Sequence, residues 1–260
     1  MRAALPLALV AVASLGLTAC GSSEGGDDSG MNLASAGTLT VCSDVPYPPF
    51  EFEKGGEYTG FDMDLMREIA KGMDLKMSVK DVGFDGLQSG AALNAGTCDI
   101  GASAMTITKE RAKNLSFSDP YYDSLQSLLV PKDSDIKDIK DLSGKTVGVQ
   151  QGTTGEKYAK DHIPDDAEMK SYPSDAELFP ALQSGGVDVV LQDLPVNLGH
   201  TEGGKFTIAQ EYDTSEQYGF AVKKSGSEEL LKGVNKQLKE LKDDGTYDKL
   251  YDKYFSENKK

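Results

Sequence analysis

Arginine is scarce in this 260-residue chain: Arg2, Arg67 and Arg111 stand against twenty-four lysines. Lysine is a flexible point charge suited to a solvated face, whereas the planar arginine fork holds a carboxylate by two parallel hydrogen bonds. Arg111, inside SAMTITKERAKNLSFSDPYY (103–122), therefore calls for a carboxylate. Histidine is scarcer still. His162 and His200 are isolated, with no second ligand at helical spacing, which leaves zinc chemistry without support; no metal or other cofactor is expected. Basic charge overall is short, and the net charge of −15 excludes nucleic acid and anionic lipid as natural partners. Ser143-Gly144-Lys145-Thr146 is no phosphate loop, because the glycine required five residues before Gly144 is Ile139. Apolar runs long enough to span a bilayer, which needs about 20 residues, are lacking as well.

The one apolar stretch, Ala3 to Leu17, follows a single basic residue and reads as the core of a secretory signal over residues 1–19. Leu17-Thr18-Ala19-Cys20-Gly21 resembles the bacterial lipobox, in which the cysteine is lipidated and becomes the mature N-terminus; the alternative is ordinary cleavage beside an incidental cysteine. Residues 20–35 then form a flexible Gly/Ser-rich tether. The expected location is the outer face of a bacterial cell membrane, through a lipid on Cys20. Cys42 and Cys98 remain, and an oxidising compartment invites a disulfide. The strand alignment speaks against one, placing Cys98 near a strand's start and Cys42 near the middle of its neighbour, so two buried thiols stay open as the alternative.

The rest of the chain is too long for one small core and suits two domains. It also echoes itself. Leu93-Asn94-Ala95-Gly96-Thr97-Cys98-Asp99-Ile100 matches Leu182-Gln183-Ser184-Gly185-Gly186-Val187-Asp188-Val189, each a helix end, a glycine and an aspartate opening a buried strand. Gly37-Thr38-Leu39-Thr40-Val41 and Gly144-Lys145-Thr146-Val147-Gly148-Val149 form a second pair. Met66, Ile69, Ala70 and Met73 share one helical face. The alternation predicts an α/β protein of two lobes with largely parallel sheets. SLQSLLVPKDS (124–134) and QYGFAVKKSG (217–226) read as single strands crossing between them, which makes the first lobe discontinuous: 36–124 plus 219–260, with 129–215 as the second lobe and 125–128 and 216–218 as hinge crossings. The C-terminal helices, with Leu231, Val234, Leu238 and Leu241 on one face, return to the first lobe. Ligands of open α/β sheets gather at the carboxyl ends of strands. The strand ends five residues past each aspartate are Ala104 and Asp193, so Arg111 and Asp193 flank one cleft, the complement of a free amino acid's two charges.

YPPFEF (47–52), GFDMDL (60–65), MTITKERAKNLSFSDPYY (105–122), GVQQGTTGEKYA (148–159) and VDVVLQDLP (187–195), in that order, resemble the extracellular solute-binding proteins of amino-acid ABC transporters, family 3. The resemblance implies a type II periplasmic-binding-protein fold, two lobes on a two-strand hinge, monomeric, that closes on a free amino acid and delivers it to an ABC permease. It implies that Arg111 clamps the α-carboxylate with backbone N–H groups of Thr106 and Thr154, and that the ammonium meets Asp193, the Ala104 carbonyl and the Thr106 hydroxyl. Asp44, Tyr47, Phe50 and Phe84 would line the side-chain pocket. Asp44 beside Asp193 points to a polar, basic side chain; Gln150 and Gln151 suit an amide equally well.

Each residue has a plainer reading. Arg111 could pair on the surface with Glu110 or Asp119, Thr106 could be a strand residue, Asp193 a helix N-cap, and Phe50 and Phe84 core. Proteins of this kind do no chemistry. The alternative from another class is an enzyme on the same scaffold, such as a cyclohexadienyl dehydratase, for which Asp44 and Asp193 would be the acids. A sensory domain is disfavoured, since no output domain follows.

Overall fold

The computed structural model describes residues 30–256, so the leader at 1–19, Cys20 and the tether up to residue 29 lie outside the described residues. The chain starts with β1 (Thr38–Ser43), a hairpin of β2 (Phe52–Lys54) and β3 (Glu57–Thr59), helix α1 (Phe61–Gly72) and β4 (Lys76–Asp81). Short helices α2 (Phe84–Gln88) and α3 (Ala91–Asn94), then β5 (Ile100–Gly101) and β6 (Leu115–Phe117), complete this passage. Parallel β1 lies between β4 and β5. Strand β7 (Tyr122–Pro131) then leaves for a second sheet, built with β8 (Thr146–Gln150), α4 (Thr154–His162), β9 (Glu168–Tyr172), α5 (Asp175–Gln183), β10 (Val189–Asp193), α6 (Leu194–His200) and β11 (Phe206–Tyr218). The chain returns through β12 (Ala221–Lys223) into the first sheet and ends in α7 (Glu228–Asp243) and α8 (Thr246–Phe255). The two five-stranded sheets run β4-β1-β5-β12-β6 and β11-β7-β10-β8-β9.

The internal echo is a structural one. Asp99 donates its N–H to Thr40 and takes the Thr40 N–H on its carboxylate at 2.8 Å, and Asp188 does both with Thr146, the latter at 2.7 Å. Each aspartate thus ties the start of one strand to its parallel neighbour. Residues at this entry point carry a carboxylate because two backbone groups meet there without a strand partner.

QYGFAVKKSG is two strands rather than one. β11 stops at Tyr218 and β12 starts at Ala221. At the break, the Gly219 N–H reaches the Met105 carbonyl and the Phe220 N–H reaches Ser118 Oγ at 2.9 Å. A Cβ on Gly219 would lie 2.8 Å from the Ile107 side chain, so a larger residue there requires Ile107 to shift. In α1, Met66, Ile69 and Ala70 are buried as the pattern requires. In α7 the inner face is Leu230, Val234, Leu238 and Leu241, while Leu231, assigned inward from sequence, is half-buried. Each fully buried leucine contributes about 1.5–3 kcal/mol by leaving water. Phe50, assigned from the resemblance to the ligand pocket, is instead the centre of the first lobe's aromatic core. Its ring lies 5.0 Å from Tyr122, 5.3 Å from Tyr218 and 5.5 Å from Phe255, and none of it is exposed.

Cys42 and Cys98 form a disulfide, which overturns the strand-alignment argument against it. That argument assumed Cys98 to lie in an extended strand. The strand begins only at Ile100, and bends at Thr97 and Asp99 fold Cys98 to within 5.8 Å of Cys42, Cα to Cα. Both sulfurs sit in an apolar cluster with Phe84, Leu87 and Leu115. The bridge closes a sequence separation of 56 residues. Loop entropy then assigns it roughly 4 kcal/mol, so Cys42→Ala/Cys98→Ala should unfold at clearly lower denaturant concentration; an unchanged midpoint would show that the bridge does not constrain the unfolded chain.

Candidate functional site

The two sheets face each other across a cleft lined by Asp44, Tyr47, Phe84, Ala104, Thr106, Arg111, Gln150, Thr153, Thr154 and Asp193. Of the residues that the sequence reading placed at the ligand, Phe50 and Gln151 fall outside this lining, Gln151 being exposed, and the others are brought together here. The enclosed space is only about 10 Å³, the room of one water, because the lobes touch directly.

Arg111 opens a short 3-10 turn and is 6% exposed, which removes the surface-pair reading; Glu110 is paired with Lys113 instead. The guanidinium donates Nη1–H to the Thr106 carbonyl at 2.7 Å and Nη2–H to the Gly152 carbonyl at 3.0 Å, one partner from each lobe. Its central carbon lies 5.2 Å from the Phe84 ring centre. Among the described residues it forms no ion pair. Burial lowers its pKa to about 10, against the pull of Asp193 and Glu216.

Asp193 ends β10 and precedes α6 at the N-cap position, yet its side chain makes no capping bond. The carboxylate turns into the cleft, where Gln126 Nε2 donates to Oδ1 at 2.5 Å and the Tyr218 hydroxyl donates to Oδ2. Burial, with Glu216 adding repulsion, raises its pKa to about 7. Asp44 follows β1 and accepts from Gln150 Nε2 at 2.6 Å across the cleft; burial first, then Asp81 and Asp175, raise it to about 7.

Ala104 has a left-handed backbone, φ 44°, which a non-glycine residue adopts only when its surroundings impose it. Asp62 imposes it by accepting the Ala104 N–H at 2.9 Å. The Tyr121 hydroxyl donates to the same oxygen at 2.7 Å, and burial raises Asp62 to about 7. Beside it, Glu51 accepts from Ser103 Oγ at 2.6 Å, and Ser103 Oγ in turn accepts the Asp44 N–H at 3.1 Å. Glu51 is also pushed well up, by burial and then by Asp62. Two buried acids thus shape the loop that carries the cleft's first-lobe groups.

Thr154 opens α4, whose N-cap Thr153 accepts the Glu156 N–H at 3.0 Å. The helix start presents free N–H groups and a positive dipole end, suited to an anion. Gly155 lets this start approach the hinge, since a Cβ there would lie 2.9 Å from Gln126 Oε1.

Two residues of the site escaped the sequence reading. Gln126 lies on β7, and its signal was a lone amide between Leu125 and Leu128 in an apolar run. Glu216 lies on β11 just past a bulge, where three residues, 213–215, have no partner between Tyr212↔Gln126 and Glu216↔Ser124. Ser215 is left-handed there, φ 54°. Glu216 accepts from Thr106 Oγ1 at 2.7 Å and from Thr154 Oγ1 at 2.7 Å, and so touches both lobes. No linear feature marks a carboxylate that a bulge rotates inward.

Residues 39–257 match the family described as bacterial extracellular solute-binding proteins, family 3. A probable histidine-binding protein of Neisseria gonorrhoeae is 35% identical over 261 residues, covering 96% of this chain and 94% of that one. The arginine-binding extracellular protein ArtP of Bacillus subtilis (strain 168) is 34% identical over 266 residues, with 100% of both chains covered. Among solved structures, an ancestral arginine-binding protein bound to arginine superposes with a TM-score of 0.80 at 42% identity, over 84% of this chain and 98% of that chain.

Asp44, Asp62 and Asp193 all rise from 3.8 to about 7 on folding. Between those values the folded chain keeps protons that the unfolded chain releases, so their stabilisation is full below 3.8 and lost as pH rises through about 7. Thermal stability should therefore fall from about pH 5 to about pH 8, with a shallower fall in Asp193→Asn. Identical slopes for the two proteins would mean that Asp193 ionises normally in the fold.

Proposed function

The chain belongs to the bacterial extracellular solute-binding proteins, family 3, and within that family we propose a receptor that captures a free polar L-amino acid, basic by preference, and hands it to an ABC permease. Amino-acid binding in ABC transport and a location outside the cytoplasm come with the family and its type II fold. The observation that carries the finer reading is Arg111. It is a buried cation that forms no ion pair among the described residues and faces a raised-pKa acid from the opposite lobe.

A guanidinium has five N–H donors, and two are engaged by the Thr106 and Gly152 carbonyls. The others are assigned to the ligand α-carboxylate, together with the N–H groups of Thr106 and Thr154. The ammonium is assigned to Asp193, the Ala104 carbonyl and the Thr106 hydroxyl. Tyr47 and Phe84 flank the ligand stem, and Asp44 with Gln150 takes the head group. Asp44 decides the preference. A cationic head group meets the Asp44 carboxylate as one charge meets another, whereas a neutral amide brings only a dipole, so the cation gains more from the same contact. Asp44 and Asp193 line the cleft, Glu216 lies behind its threonines and Arg111 is the cation in its lining, so a positive charge on the ligand meets acidic groups on several sides. The relatives above, whose names and titles mention histidine and arginine, support a basic ligand and weigh against a dehydratase on this scaffold.

Calorimetry against arginine, lysine, histidine, glutamine and cystine should find a basic amino acid bound most tightly. Arg111→Lys should weaken that binding by roughly 2–5 kcal/mol, because one point charge replaces a buried fork. Tightest binding of glutamine or cystine would overturn the basic preference, and unchanged affinity in the variant would overturn the assignment of Arg111.

Anchoring through a lipid on Cys20 rests on Leu17-Thr18-Ala19-Cys20-Gly21 and the tether after it. Cys20→Ala should move the protein from the membrane fraction to the soluble one, and a variant that stays with the membrane would exclude this anchor.

A further inference from the structure

We propose that Glu216, on the hinge, is a positioning residue that fixes which way the cleft's two threonine hydroxyls point and so makes both of them acceptors for the ligand's ammonium. The proposal deepens the amino-acid reading above and rests on it.

The geometry is a four-way junction on one carboxylate. Oε2 accepts from Thr106 Oγ1 in the first lobe and from Thr154 Oγ1 in the second, each at 2.7 Å. Oε1 accepts from Thr214 Oγ1 at 2.9 Å and from Gln126 Nε2 at 3.2 Å. Gln126 Nε2 also donates to Asp193 Oδ1 at 2.5 Å and lies 3.4 Å from Thr154 Oγ1. Glu216 is 8% exposed, so water does not supply substitutes for these partners.

A hydroxyl owns one proton and two lone pairs. Thr106 and Thr154 each give that proton to Glu216, so toward the cleft each can only accept. The hydroxyls stand 3.4 Å apart. Two acceptors that close, with Asp193 on the neighbouring strand end, suit N–H donors and repel carboxylate oxygens. The α-carboxylate is thereby left to Arg111 and backbone N–H groups. Glu216 thus fixes the ligand's orientation without touching it.

Replacing Glu216 by glutamine reverses this logic while preserving shape. Gln126 and Thr214 both donate toward the Oε1 position, so the amide oxygen belongs there. The amide NH₂ then faces Thr106 and Thr154 and donates to them. Their hydroxyl protons turn into the cleft, against the ammonium.

The test compares L-arginine and L-glutamine, each beside its des-amino counterpart, by calorimetry on the wild-type chain and Glu216→Gln. The amino acid bound by the wild type should lose about ten- to a hundredfold in affinity in Glu216→Gln, while its des-amino counterpart changes less than about threefold. A parallel loss for both compounds, or none for either, overturns the proposal and leaves at most a structural role. Should Glu216→Gln lack a cooperative melting transition, Thr154→Val serves in its place and should show the same selective loss, smaller in size; a loss shared equally by both compounds overturns the proposal there too. If the wild-type chain binds none of arginine, lysine, histidine, glutamine and cystine, the ligand reading itself fails, and that outcome is visible before any variant is made; if it binds only one of the other three, that amino acid and its des-amino counterpart take the place of arginine and glutamine.

Discussion

Arg111 is a cation taken out of water and held by two carbonyl oxygens from opposite lobes. A buried charge without a counter-charge costs several kcal/mol, and carbonyl dipoles offset only part of it. The lobes around it are arranged to make the rest of that cost recoverable. Asp193 and Glu216 pull on it electrostatically without pairing to it, and the start of α4 supplies N–H groups beside it. The most economical completion is a carboxylate from outside the chain, and an amino acid brings one with an ammonium attached.

The acids around this cation are arranged in depth. Asp44 and Asp193 face the cleft, and Glu216 stands one layer behind the threonines. Glu51 and Asp62 stand behind Ser103 and Ala104. Burial raises Asp44, Asp62, Asp193 and Glu51, which is the expected response of carboxyl groups withdrawn from water. Asp62 also holds Ala104 in a backbone conformation that costs about 1–3 kcal/mol, and Tyr121 braces it from the aromatic core. The core of the first lobe and the cleft are therefore one connected structure, with Phe50 serving the former while its chain neighbour Glu51 serves the latter.

Much of this was legible in order along the chain. The repeated aspartates predicted equivalent strand entries, and Asp99 and Asp188 make the same pair of bonds. Arg111, one of three arginines against twenty-four lysines, lies in the cleft. The failures share a cause. Leu231 and Leu230 differ by one step of helix phase, the QYGFAVKKSG strand breaks where Gly219 meets Ile107, and Cys98 approaches Cys42 because the chain bends at Thr97 and Asp99. Each turns on a local change of direction that periodicity does not record.

What the sequence determined by itself was the class of fold and the meeting of Arg111 and Asp193 in one cleft between two lobes, because these follow from residue type and from strand ends that a repeat locates. Only the tertiary structure decided that Phe50 belongs to the core, that Cys42 and Cys98 are bridged, and that Gln126 and Glu216 enter the site. Those outcomes depend on side-chain direction at a bulge, a bend or a packed ring, and direction is set by neighbours distant in sequence.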